Sequence, residues 1–109
     1  MILLMNSAMM PSDGIWQKKT ITTTEVKKIF EKESVAGFES YIGYPNACRV
    51  LSPLLGVNVP LSREATDVRI GDIVLVMQLR YRVDPDQKAT RRHGEELSDY
   101  VFSVVRKIE

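Results

Sequence analysis

A chain of 109 residues matches one ordinary globular domain, long enough to bury a core and too short to divide into two. Its 15 basic against 14 acidic side chains leave a net charge of +1, which excludes the strongly basic surface that captures duplex DNA by charge alone. The single cysteine, Cys48, excludes an intrachain disulfide and suits a reducing, cytoplasmic compartment.

The opening run Met1-Ile2-Leu3-Leu4-Met5 falls well below the roughly 20 residues that span a bilayer and is too short for the apolar part of a signal peptide. It reads as a buried strand, and no membrane partner is expected. Pro11-Ser12-Asp13-Gly14 carries turn chemistry, and residues 16–22 form a second extended piece with Trp16 as a core or dimer anchor. From Thr23 or Thr24 a capped helix places Val26, Ile29 and Phe30 on one face and ends near Gly37. The charges Lys27, Lys28, Glu31, Lys32 and Glu33 lie mostly off that face and read as solvated surface.

The second helix has the clearest pattern. Ala47, Val50, Leu51, Leu54 and Leu55 recur at helical spacing, and Gly56 is placed to stop it. Pro53 in its last turn removes a backbone donor and is expected to shorten or bend it. Beyond it, residues 57–60, 64–70, 73–81 and 100–107 read as strands, with Gly71-Asp72 turning between two of them. The unbroken apolar run from Ile73 to Met77 marks a central strand buried on both faces. The expected architecture is α+β, a single small domain over residues 1–109 with a mixed central sheet flanked by helices.

One place invites a ligand. In Ile42-Gly43-Tyr44-Pro45-Asn46-Ala47, Pro45 takes the first helical position and forces Tyr44 to stay extended. The amides of Asn46 and Ala47, with that of Cys48 as an optional third, then face outward at the positive end of the helix dipole, as a phosphate seat requires. Gly43 lets a ligand approach the backbone, while Tyr44 and Asn46 add a hydroxyl and an amide. Tyr44 as a packed, capping aromatic is the competing structural role.

The blocks Met5-Asn6-Ser7-Ala8, Tyr41-Ile42-Gly43-Tyr44 and Leu54-Leu55-Gly56-Val57-Asn58-Val59-Pro60, followed by Arg63, Gly71-Asp72, Gln78 and Arg82, stand in an order that resembles the viral ring nucleases. These are anti-CRISPR proteins of archaeal viruses, phages and mobile elements. The resemblance implies a homodimer whose two subunits enclose cyclic tetra-adenylate and cut it by attack of a ribose 2′-hydroxyl, silencing host defence. It implies that Asn6, Arg63 and Gln78 bind the ligand and that Arg82 stabilises the reacting phosphate, and Ser7, next to Asn6, is taken with them as a ligand-binding candidate.

The chain departs from the family where chemistry is concentrated. The family's histidine, expected as the general acid, is here Tyr44, whose phenol has an ordinary pKa of about 10 and matches neutral-pH proton transfer poorly. The family's glutamate after the arginine has no clean equivalent in Arg82-Val83-Asp84-Pro85-Asp86-Gln87, where Asp86 is the choice over Asp84. A first-loop serine is replaced by Met9 or Met10, and a glycine by Gln87. His93, the only histidine, reads as an exposed loop residue, and with one cysteine it gives no metal-ligand spacing. No metal and no cofactor is expected.

Three functions follow from these readings. A sequestering protein holds the cyclic nucleotide without cutting it, as Tyr44 favours. A metal-independent nuclease cleaves through in-line positioning, with Tyr44, Arg82 and Asp86 as the catalytic set. An interaction module uses Trp16 or a sheet edge to bind another protein.

Overall fold

Ile2-Leu3-Leu4-Met5 has no polar residue to present to solvent, so it can only be a strand covered on both sides, and all four of its residues are buried. In a computed structural model, which describes residues 1–7, 13–64, 66–80 and 95–109, this strand, β1 (Ile2–Met5), lies inside a five-stranded sheet. The others are β2 (Trp16–Ile21), β3 (Phe38–Tyr41), β4 (Ile73–Leu79) and β5 (Tyr100–Lys107). Their order is β2-β5-β4-β1-β3. Strand β1 pairs in parallel with both β3 and β4, whereas β5 runs antiparallel to β4 and β2. The sheet is mixed, as the sequence predicts.

Two helices, α1 (Thr23–Glu33) and α2 (Pro45–Leu55), cover one face. Helix α1 starts where Thr22 and Glu25 exchange hydrogen bonds: the Thr22 hydroxyl accepts from the Glu25 amide at 3.2 Å and the Glu25 carboxylate from the Thr22 amide at 3.2 Å. A short 3₁₀ turn, Ser34–Ala36, then carries the chain to Gly37, whose φ of +95° suits only glycine well. Phe30 of α1 meets Phe38 of β3 edge to face at 5.3 Å.

Helix α2 buries Ala47, Cys48, Leu51 and Leu55. Each large apolar side chain so buried contributes about 1.5–3 kcal/mol. Pro53 does not shorten the helix, which continues to Leu55 and closes at Gly56 in the left-handed conformation. The missing amide, whose helical partner would be the Arg49 carbonyl, falls in the last turn, and the helix closes with the Ser52 carbonyl receiving the amides of Gly56 at 2.9 Å and Val57 at 3.3 Å.

Alternation in the strands divides the core. Ile2, Leu4, Ile73, Leu75, Met77, Phe102 and Val104 face the helices. Leu3, Met5, Val74, Val76 and Val105 face the other way, packed with Val68 and against Trp16 and Tyr41. Residues 73–77 are buried throughout, as a central strand demands. Trp16 is half-buried in this second cluster, with the Lys107 ammonium 5.7 Å from its ring centre.

Three expectations are corrected. Residues 57–60 and the described residues of 64–70 are not strands; among the described residues of the 57–72 stretch the backbone is irregular, closing in a turn at Ile70 and Gly71. Local side chains take the place of a ladder: the Val59 amide donates to Ser52 Oγ at 2.9 Å and the Arg69 amide to Asp72 Oδ2 at 2.9 Å. Gly71-Asp72 therefore precedes β4 without joining two strands. The edge strand β3 was not expected, because Phe38-Glu39-Ser40-Tyr41 is short and only half apolar. Finally, the strand read as 73–81 is described as Ile73–Leu79, residue 81 lying outside the described set.

Candidate functional site

Strands β1 and β3 run parallel side by side, with Met5 opposite Tyr41, so their carboxyl ends open at one edge of the sheet. From that edge the chain next forms β2 at the far side of the sheet after β1, and enters α2 after β3. Where neighbouring parallel strands lead apart in this way a crevice is left outside their carboxyl ends. A cavity of about 500 Å³ lies there, lined by Asn6, Ser7 and Gly43 from the strand ends and by Arg63 from the irregular stretch. All four are residues that the sequence reading assigned to ligand binding.

Gly43 is the pivot. Its amide donates to Asn6 Oδ1 at 3.3 Å, and its carbonyl accepts from Arg63 Nε at 3.3 Å. A Cβ at this position would stand 3.0 Å from Arg63 Cγ, so glycine is what allows Arg63 to lie against the backbone. The Ser62 amide donates to the Ile42 carbonyl at 2.9 Å, which anchors the stretch carrying Arg63 beside β3. On the other side of β3, the buried Ser40 hydroxyl donates to the Pro60 carbonyl at 2.6 Å and accepts from the Ile42 amide at 3.4 Å.

Tyr41, Thr66, Glu64 and Asp67 complete the working part of the cavity wall, and the sequence reading gave none of them a role. The Tyr41 hydroxyl donates to Glu39, two residues earlier on the same strand face. That bond holds the Tyr41 phenol above the usual range, the neighbouring Thr66 hydroxyl working in the opposite direction. The signal available in the sequence was the pair Glu39 and Tyr41 at strand spacing just before Gly43. Among the described lining residues, Arg63 is the one cation against the carboxylates of Glu64 and Asp67.

The residues at the start of α2 are separated from this cavity. Tyr44 is extended, as the following proline requires, but its side chain packs against the helix-side core, and its hydroxyl accepts from Asn46 Nδ2 at 3.4 Å. Of the amides read as a seat, that of Cys48, the optional third, instead donates to the Tyr44 carbonyl at 3.3 Å within the helix. Neither Tyr44 nor Asn46 lines the cavity. Cys48 is buried, donates weakly to the Ile42 carbonyl at 3.7 Å, and has its thiol pKa pushed up by desolvation.

Gln78 is exposed near the carboxyl end of β4, beyond Val74 and Val76 on the face that carries Met5 and Tyr41, and does not line the cavity. Arg82, Asp84, Asp86, Gln87 and His93, like Met9 and Met10, lie outside the described residues. Among the described residues no cluster of histidine, cysteine, aspartate and glutamate could hold a metal, and no helix is long and apolar enough to cross a membrane.

Comparison with known proteins gives the lineage of this arrangement. The family described as STIV B116-like matches residues 2–104. The chain is similar to the uncharacterised protein ORF117 of Acidianus two-tailed virus, 29% identical over 89 residues that cover 79% of this chain and 75% of the relative. Among solved structures it is similar to B116 of Sulfolobus turreted icosahedral virus, with a TM-score of 0.69 over 96% of this chain and 97% of that one at 14% identity. Likeness at that identity is likeness of fold.

Proposed function

The chain belongs to the STIV B116-like family, and from that premise we propose that it is a viral counter-defence protein that binds and sequesters a cyclic nucleotide messenger, cyclic tetra-adenylate or a related ring. The observation that carries the reading is the cavity at the carboxyl ends of β1 and β3, where Asn6, Ser7, Gly43 and Arg63 meet. Of these positions, distant in sequence, Asn6 and Arg63 are ones that the resemblance to viral ring nucleases assigns to the ligand, and Gly43 is one that the start of α2 suggests.

Cavity size bears on stoichiometry. A volume of about 500 Å³ lies within the roughly 300–1,000 Å³ of small-ligand sites and takes part of a four-nucleotide ring, not the whole. A second copy of the chain, facing the first across this opening, completes the enclosure. The proposed form is therefore a homodimer.

Holding is favoured over cutting by the position of Tyr44. Its side chain rests on the helix-side core, away from the cavity where the ring would lie, so the residue standing in the place of the family's histidine is poorly placed to protonate a leaving oxygen. Sequestration demands near-stoichiometric amounts and a dissociation constant below the free messenger concentration. Incubation of the purified protein with a panel of cyclic oligonucleotides, followed by denaturation and chromatography of what is released, tests this. Intact ring in a one-to-two ratio with chains supports the sponge. Linear products would replace it with a nuclease, and an absence of binding to every ring would refute the nucleotide reading.

A further inference from the structure

Charge in the cavity does not suit a phosphate. Glu64 and Asp67 line the same cavity as Arg63, and two carboxylates against one guanidinium disfavour an anion. Their chemistry is acceptor chemistry. Carboxylate oxygens take hydrogen bonds from N–H groups, and the nucleobases that present an exocyclic amino group are adenine, cytosine and guanine.

An aromatic wall stands beside those acceptors. Tyr41 lines the cavity at the end of β3 and packs, partly buried, against the cluster formed by Met5 and its neighbours. Its hydroxyl is tied to Glu39 on the same strand. A ring fixed at both its root and its tip loses little entropy when a flat ligand stacks on it. Asn6 adds a directional group: its Oδ1 is committed to the Gly43 amide, which turns the side-chain amide so that its NH₂ is the group left to meet an acceptor on a base.

We infer that this cavity is a base subsite, in which Tyr41 stacks an amino-bearing nucleobase while Glu64 and Asp67 accept from its exocyclic amine, the phosphates lying outside it. The inference rests on the nucleotide reading above and deepens it, making Tyr41 a specificity-determining residue.

The test uses the full-length protein and four synthetic rings: cyclic tetra-adenylate, tetra-cytidylate, tetra-inosinate and tetra-uridylate. Inosine differs from adenosine by a carbonyl in place of the amine, and uridine from cytidine likewise. The amino-bearing member of at least one pair is expected to bind ~10-fold or more tightly than its carbonyl counterpart, since carboxylates placed for an exocyclic amine then face a carbonyl oxygen and the donor shifts to a ring N–H. In the Glu64→Ala/Asp67→Ala variant that preference disappears while the carbonyl ring still binds. Tyr41→Phe keeps affinity within a few-fold, whereas Tyr41→Leu loses ~10- to 100-fold, the usual worth of one stacked base.

Equal affinity within both pairs, or full affinity in Tyr41→Leu, overturns the base assignment and leaves nucleotide binding standing. Failure of every ring to bind overturns both. The paired-ring comparison needs no variant, so a misfolded Tyr41→Leu protein does not block the decision.

Discussion

Replacing Gly43 by alanine separates the geometry of the cavity from the stability of the fold. Gly43 does not have a positive φ, so alanine fits its backbone, and the smaller entropy of the unfolded chain favours the variant by about 0.4–1 kcal/mol. Against this, the new methyl meets Arg63 Cγ at 3.0 Å, with the Ser62 carbonyl at 3.5 Å and Arg63 Cα at 3.8 Å. Arg63 is exposed and its side chain can move by a few tenths of an ångström. The two effects nearly offset, and the melting temperature is expected to change by no more than about 5 °C. The bond from Arg63 Nε to the Gly43 carbonyl is already 3.3 Å long, however, and the same displacement breaks it. An untethered Arg63 has to be ordered when the ring binds, at about 0.5–1.5 kcal/mol, so ring affinity is expected to fall ~2- to 10-fold. Thermal melting read beside titration calorimetry decides the matter. A large loss of stability, or unchanged affinity in Gly43→Ala when Arg63→Ala binds weakly, would show that Gly43 does not position Arg63 for the ligand.

Two other perturbations follow from the same packing. Ser40→Ala removes the hydroxyl that satisfies the Pro60 carbonyl, at a cost of about 1–3 kcal/mol, and is expected to lower the melting temperature by roughly 5–15 °C; an unchanged melt would mean that the 57–64 stretch is held elsewhere. For Cys48, folding raises the thiol pKa by desolvation, so the fold favours the protonated thiol. That contribution to stability is fully present below the ordinary thiol range and is lost as pH climbs through the raised value. Chemical denaturation between pH 7 and 10 should show a decline that is shallower in Cys48→Ala, and the native thiol should alkylate far more slowly at pH 8 than in denaturant. Rapid native alkylation would place the thiol within reach of solvent.

Much of the framework was legible in the chain. Helix α2 declared itself because one apolar stripe at 3.6-residue spacing lies between Pro45 and Gly56, two residues whose backbone chemistry acts locally. The buried character of Ile73 to Met77 followed from an apolar run too long to face solvent on either side. The irregular stretch was misread because Val57, Val59 and Val68 look like strand residues. Val59 and Val68 are in fact single anchors under a backbone satisfied by serine and aspartate side chains, and nothing local distinguishes an anchor from a strand.

By itself the sequence determined the class of fold, both helix starts and the stop of α2, and it offered as candidate ligand residues Asn6, Ser7, Gly43 and Arg63, which line one cavity, together with Asn46 and Gln78, which do not. Only the tertiary structure decided that Tyr41 joins them and that Tyr44 does not. Those two tyrosines flank Ile42-Gly43, and which face of the sheet each one takes depends on β3 pairing with β1 in a register that brings Tyr41 opposite Met5. A strand's pairing partner is chosen by long-range burial, and successive side chains then point to opposite sides, so a separation of three residues across the strand end places one tyrosine on the cavity wall and the other on the helix-side core.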